Sequence, residues 1–244
     1  MKSEDFDTKL KQAMGMKNDP KMTVNKLGEF LTAQPNRQRR ILQQLKYPKK
    51  SAFGVPPEYG MAKEAIKGYL INEFDESYLK NAYDEISGKT PNNDWHASII
   101  GSAIEAIEFA QDIDLSVFED YQFESYSGSN PKMNIHGVEV SIYPDLIVRT
   151  SNRGKNLVGA LKIHISKSGQ LNLEGSEYVG AMLYSFVEND VLEPSESMKE
   201  KLCISYDVFT NSIVECPKSV KRRWNDIEAG CKNIVAIWDS IEKP

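Results

Sequence analysis

Apolar residues in this chain recur first at helical spacing and later at alternate positions, so the pattern predicts helices followed by strands. Ser3 to Met14 reads as a short charged helix. Thr23 can cap a helix that runs through Leu27, Phe30 and Leu31 to about Ala33. Pro35 suits the first turn of the next, whose apolar members Ile41, Leu42 and Leu45 share one face. Pro48, Gly54, Pro56 and Pro57 mark a loop. A third helix follows from about Pro57 to Asn72, with Tyr59, Ala62, Ala65, Ile66 and Leu70 inward. Asp75 can cap a fourth that ends at Gly88. No period repeats.

The polar segment from Gly88 to Asp94 divides this α-helical N-terminal region, 1–90, from the rest, 91–244. The second part opens with a helix over Asp94 to Asp112. Trp95, Ile99, Ile100, Ala103, Ile104, Ile107 and Ala110 form its apolar face; Ser98, Ser102, Glu105 and Glu108 lie opposite. Strands are then expected in YQFESYS, in MNIHGVEVSIY with a turn at His136-Gly137, in DLIVRT and in LVGALKIHI. A helix follows, with Tyr178, Ala181, Met182 and Phe186 on one side. KLCISYDVF and SIVECP make another strand pair. The last helix carries a stripe of Trp224, Ile227, Cys231, Ile234, Ile237 and Trp238. This order predicts an α/β fold with a mixed central sheet flanked by helices.

Composition narrows the setting. The 244 residues are 40% hydrophobic and 27% charged, ordinary for a soluble globular protein. No run of about 18 apolar residues occurs, so no membrane span is expected. The charged N-terminus lacks the apolar core of a signal peptide. Three scattered cysteines (Cys203, Cys216, Cys231) fit neither a disulfide framework nor a zinc site, and a reducing cytoplasm is the expected location. A net charge of -5 argues against a non-specific coat on nucleic acid.

The stretch Val140 to Lys167 carries the chemistry. Strand alternation puts Val158, Ala160, Lys162 and His164 on one face of LVGALKIHI. Asp145, after Pro144, opens the neighbouring strand, within a few ångströms of Lys162. A carboxylate and an ammonium on adjacent buried strands are costly unless they serve each other or a bound ion. This arrangement resembles the PD-(D/E)XK nuclease superfamily, with Pro144-Asp145 as the PD and Ala160-Leu161-Lys162 as the (D/E)XK; the resemblance spans roughly Asp94 to Ile241. It implies a restriction-endonuclease-like fold and a metal-dependent nuclease acting on DNA, with Mg²⁺ as cofactor. Asp145 would hold Mg²⁺ and Lys162 would orient the attacking water, the metal stabilising charge on the scissile phosphate.

Ala160 breaks the pattern, because the second motif lacks its acidic metal ligand. Glu105 is the first candidate to supply it, as catalytic and metal-binding residue; Glu108, Glu174 and Glu177 follow. The nuclease reading requires Asp145, Lys162 and one glutamate carboxylate to converge within about 4 to 6 Å, where charges perturb one another. A plainer account exists for each group: Asp145 as a turn residue, Lys162 snorkelling from an edge, His164 half buried, Glu105 solvated. A catalytically inactive relative that binds nucleic acid or protein is the alternative.

Basic residues cluster twice. Between Arg37 and Lys50 there are six and no acidic ones; Arg37, Arg39, Arg40 and Lys46 are the candidate nucleic-acid contacts. Lys218, Lys221, Arg222 and Arg223 open the last helix, opposing its dipole and hinting at an external anion. DNA is the expected partner; a homo-oligomer or protein partner is left open. GxGxxG after a strand, GxxxxGK[ST] and GxSxG do not occur.

Overall fold

The long strand Lys155–His164 (β6) is buried on both faces over its last eight residues, and the fold is layered around it. The computed structural model describes residues 17–48, 56–129 and 131–244; the expected helix at Ser3 to Met14 and the basic pair Lys49 and Lys50 lie outside them. The described elements are β1 (Lys21–Thr23), α1 (Val24–Thr32), α2 (Pro35–Lys46), α3 (Pro57–Ile71), α4 (Ser77–Ser87), α5 (Asp94–Gln111), β2 (Gln122–Ser125), β3 (Lys132–Ile135), β4 (Val138–Ser141), β5 (Leu146–Asn152), β6, α6 (Leu173–Phe186), β7 (Glu196–Asp207), β8 (Ser212–Glu215) and α7 (Val220–Trp238).

Five strands form the main sheet in the order β2-β5-β6-β7-β8. β2, β5 and β6 run antiparallel in turn, whereas β7 returns parallel to β6 by way of α6. Parallel neighbours need such a crossover. The protein is therefore mixed α/β, with helices on both faces. One departure from expectation concerns MNIHGVEVSIY. It forms the β3–β4 hairpin, but the hairpin joins β1 in a separate three-stranded sheet rather than extending the main one. β1, three residues long, is too short for an alternation pattern to reveal it. The two tight hairpins turn at His136-Gly137 and Arg153-Gly154, all four with positive φ (48° and 92°, 51° and 77°), as turns matched to strand twist require.

The two faces of β6 meet different helices. Val158 and Ala160 join a cluster with Leu27 and Phe30 of α1, Ile41 and Leu42 of α2, and the inward faces of α6 and α7. Leu157, Leu161 and Ile163 join a second cluster with Ile66 of α3, Leu79 of α4 and Ile107 of α5. The helices before Gly88 are thus divided between both sides of the sheet. Residues on either side of the Gly88 to Asp94 segment share one apolar cluster.

Some face assignments shift. Trp95 is 59% exposed, because it sits in the first turn of α5, before the helix reaches the sheet. Ser102, expected on the polar side, is buried. Ile237 is exposed although its neighbour Trp238 is buried.

α1 crosses α6 at Gly28, where a Cβ would come 2.6 Å from the carbonyl oxygen of Gly175 and 3.1 Å from Val179. Backbone occupies the space, so the helices must part to admit a methyl. Gly28→Ala is expected to cost about 1–3 kcal/mol through overpacking, despite alanine's better helix propensity of roughly 1 kcal/mol. Urea unfolding measures it, and an unchanged or raised midpoint would show that the crossing is looser than this.

Candidate functional site

Pro144 has no N–H to give, and β5 begins two residues later, at Leu146. The Asp145 N–H donates to the Leu161 carbonyl (2.9 Å), and its carboxylate then acts as an acceptor in place of backbone. Oδ2 takes the N–H of Ile163 at 2.7 Å. In this antiparallel register Leu146 faces Leu161, which sets Asp145 beside Lys162. The ammonium of Lys162 stands 3.2 Å from Oδ2 and donates to the Tyr143 carbonyl at 2.6 Å. Both residues are buried, at 6% and 8% exposure. The expected pairing of Asp145 with Lys162 is present.

A second lysine completes the cluster. Lys63 of α3 places its Nζ 2.7 Å from Asp145 Oδ1, so one carboxylate serves two ammonium groups. Burial pushes the Lys162 ammonium down to about 8; Asp145 opposes that shift and Lys63 adds to it. The sequence reading missed Lys63. Its signal was a lysine on the inward stripe of α3, four residues after Tyr59 and one after the fully buried Ala62.

The glutamates lie elsewhere. Glu105 is ion-paired to Lys167, in the loop after β6. Glu108 is exposed. Glu174 and Glu177 both engage Arg223 of α7, the former at 2.7 Å. That contact also explains one cation at the start of α7: Arg223 ties α7 to α6. Among the described residues, no three His, Cys, Asp or Glu side chains gather as a metal site would require. Mg²⁺ is a hard cation that takes oxygen ligands, often one or two carboxylates. A single carboxylate already neutralised by two ammonium groups does not suit it.

His164 follows Lys162 on the same face of β6. Its Nε2 lies 2.7 Å from the Gly169 carbonyl and 3.9 Å from Asp207 Oδ2. Burial holds the imidazole below its ordinary range. Asp207, fully buried at the end of β7, accepts from the N–H of Leu171 (2.7 Å) and of Thr210 (3.3 Å). Both residues therefore fasten loops to the C-terminal ends of β6 and β7. The three cysteines are buried free thiols.

The basic helix α2 divides by partner. Arg37 binds the buried Glu29, with Nε 2.8 Å from Oε1. Lys46 is buried, and its ammonium donates to the carbonyls of Trp238 (2.6 Å), Asp239 (3.0 Å) and Ile241 (3.1 Å). Arg39 and Arg40 are exposed. Lys218, Lys221 and Arg222 are exposed too. Of the four α2 residues expected to meet phosphate, two face solvent and two are held by the protein.

No protein-family model matches the chain, and no curated protein sequence matches it. Among the described residues, no helix is long and apolar enough to cross a membrane.

Proposed function

We propose that this chain is a catalytically inactive PD-(D/E)XK-like module that binds nucleic acid. The observation that carries the reading is Lys63 on Asp145. Where a metal-dependent nuclease needs a second carboxylate, this cluster has a second ammonium. The strand pair that bears the motif, with a helix before it and a crossover helix after it, supports the restriction-endonuclease-like core. Arg39 and Arg40 offer exposed cations to a phosphate backbone; Lys218, Lys221 and Arg222 offer a second set.

Two measurements test this. Plasmid DNA incubated with Mg²⁺ or Mn²⁺ is expected to show the same background with wild type, Asp145→Ala and Lys162→Ala; cleavage that disappears in Asp145→Ala overturns inactivity. A fluorescent duplex titrated at several salt concentrations is expected to bind with a salt slope that falls by about 2 in Arg39→Gln/Arg40→Gln, one for each lost phosphate contact. Wild-type binding that is absent at low salt removes the nucleic-acid reading.

A further inference from the structure

Lys162 and Lys63 also border a cavity of about 300 Å³ between α1, α3 and the turn from β4 to β5. No acidic side chain is among its lining residues. We propose that this cavity binds a phosphomonoester group, with Lys63 as its main contact. The inference rests on the reading of the Asp145 cluster as a site without metal.

The charges around it do not cancel. Asp145 supplies one negative charge; Lys63 and Lys162 supply two positive ones. An ammonium that is partly withdrawn from water and left over in this way is costly, and an anion in the adjoining space removes the cost. The Lys162 ammonium, pushed down to about 8 by burial and by Lys63 beside it, reports the same crowding.

Hydrogen-bond capacity points into the cavity as well. An ammonium has three hydrogens. Lys162 directs one to the Tyr143 carbonyl and one to Asp145. Lys63, which is less buried, is engaged among the described residues by Asp145 alone. Its remaining hydrogens are free to meet phosphate oxygens. Asn25, on the α1 wall, donates from Nδ2 to the Ile163 carbonyl at 3.4 Å. Tyr59 and Tyr143 also line the cavity and offer ring surface to the carrier.

The ligand has two natural sources: a free phosphorylated small molecule, or the terminal phosphate of a nucleic-acid strand. Calorimetric titration in EDTA uses inorganic phosphate, AMP, and one short oligonucleotide with either a 5′-phosphate or a 5′-hydroxyl. Phosphate is expected to bind with a Kd near or below about 1 mM. Lys63→Met should weaken it at least tenfold and Lys63→Arg should retain it. Thermal melts verify that both variants fold. A strand end as ligand is assigned when the 5′-phosphorylated oligonucleotide outbinds both its 5′-hydroxyl form and AMP by tenfold. AMP binding as tightly as the strand assigns the small molecule. The proposal is overturned if phosphate gives no saturable heat, or if Lys63→Met binds it as wild type does. Because EDTA excludes metal, failure here leaves inactivity standing, whereas Asp145-dependent cleavage with Mg²⁺ overturns inactivity whatever the titrations give.

Discussion

Asp145→Ala is expected to lower the stability of the fold by about 3–5 kcal/mol, the usual result of removing one partner from a buried ionic cluster. The variant leaves Lys162 and Lys63 facing each other without their shared carboxylate, and Ile163 loses the acceptor that Oδ2 provided. For a chain of this size the melting temperature should fall by roughly 6–20 °C. Lys162→Met should behave differently. Asp145 keeps Lys63 and the Ile163 N–H, and a methionine fills the space of a lysine stem; the change should be within about 1 kcal/mol. A carboxylate kept for catalysis would produce the opposite contrast, with activity lost and stability little altered or improved.

The pH dependence sharpens this test. Folding lowers the Lys162 ammonium from an ordinary 10.5 to about 8. Between those values the unfolded chain binds the proton and the folded protein does not, so this group makes the protein more stable as pH rises through that window. Below about 8 both states are protonated and the cost of burying the charge is fully present. Burial is the largest cause of the shift and Asp145 opposes it. In Asp145→Ala the folded value drops further, so the window opens at lower pH. The stability gap between wild type and variant should accordingly be smaller at pH 9 than at pH 7. Denaturant unfolding at the two pH values measures it, and a gap that does not change with pH would mean that Lys162 does not titrate there.

Lys46→Met should cost about 2–4 kcal/mol, far more than a surface lysine. Its ammonium gathers three carbonyls just past the end of α7, where the helix dipole is negative and carbonyls lack partners within the helix. Trp238 and Tyr47 also stack their rings near the charge, at 5.9 and 5.7 Å. Methionine replaces the stem but supplies no donor, so the carbonyls are left partly unsatisfied. Arg39→Gln and Arg40→Gln, from the same helix, should each lie within about 0.5 kcal/mol of wild type. Urea unfolding of the three variants is the check. A Lys46→Met midpoint equal to the arginine variants would mean that water replaces the ammonium without loss.

Local chemistry in the sequence was enough to define most elements. The Thr23 cap, Pro35 at the head of α2, the His136-Gly137 turn, and the alternation that pairs Asp145 with Lys162 all act over a few residues. Each is written in neighbouring letters. Trp95 and Ile237 show the limit of that legibility: periodicity defines a stripe, but the neighbours decide how far along the helix it is covered. Lys46 and Arg37 read as solvent-facing cations because their partners, the end of α7 and Glu29, lie elsewhere in the chain and do not enter a local charge count.

The same limit governs the candidate site. By itself the sequence determined that a carboxylate and a lysine meet on adjacent strands, because strand register is a local property of the hairpin. It also displayed Ala160, the place where an acidic ligand is missing. Only the tertiary structure decided what joins that pair. Asp145 and Lys63 are separated by the rest of α3, by α4, α5, β2 and the β3–β4 hairpin, and packing α3 over the sheet brings them to 2.7 Å. Ion pairs act over a few ångströms whatever the distance along the chain, so the sign of the third charge was fixed by packing rather than by pattern.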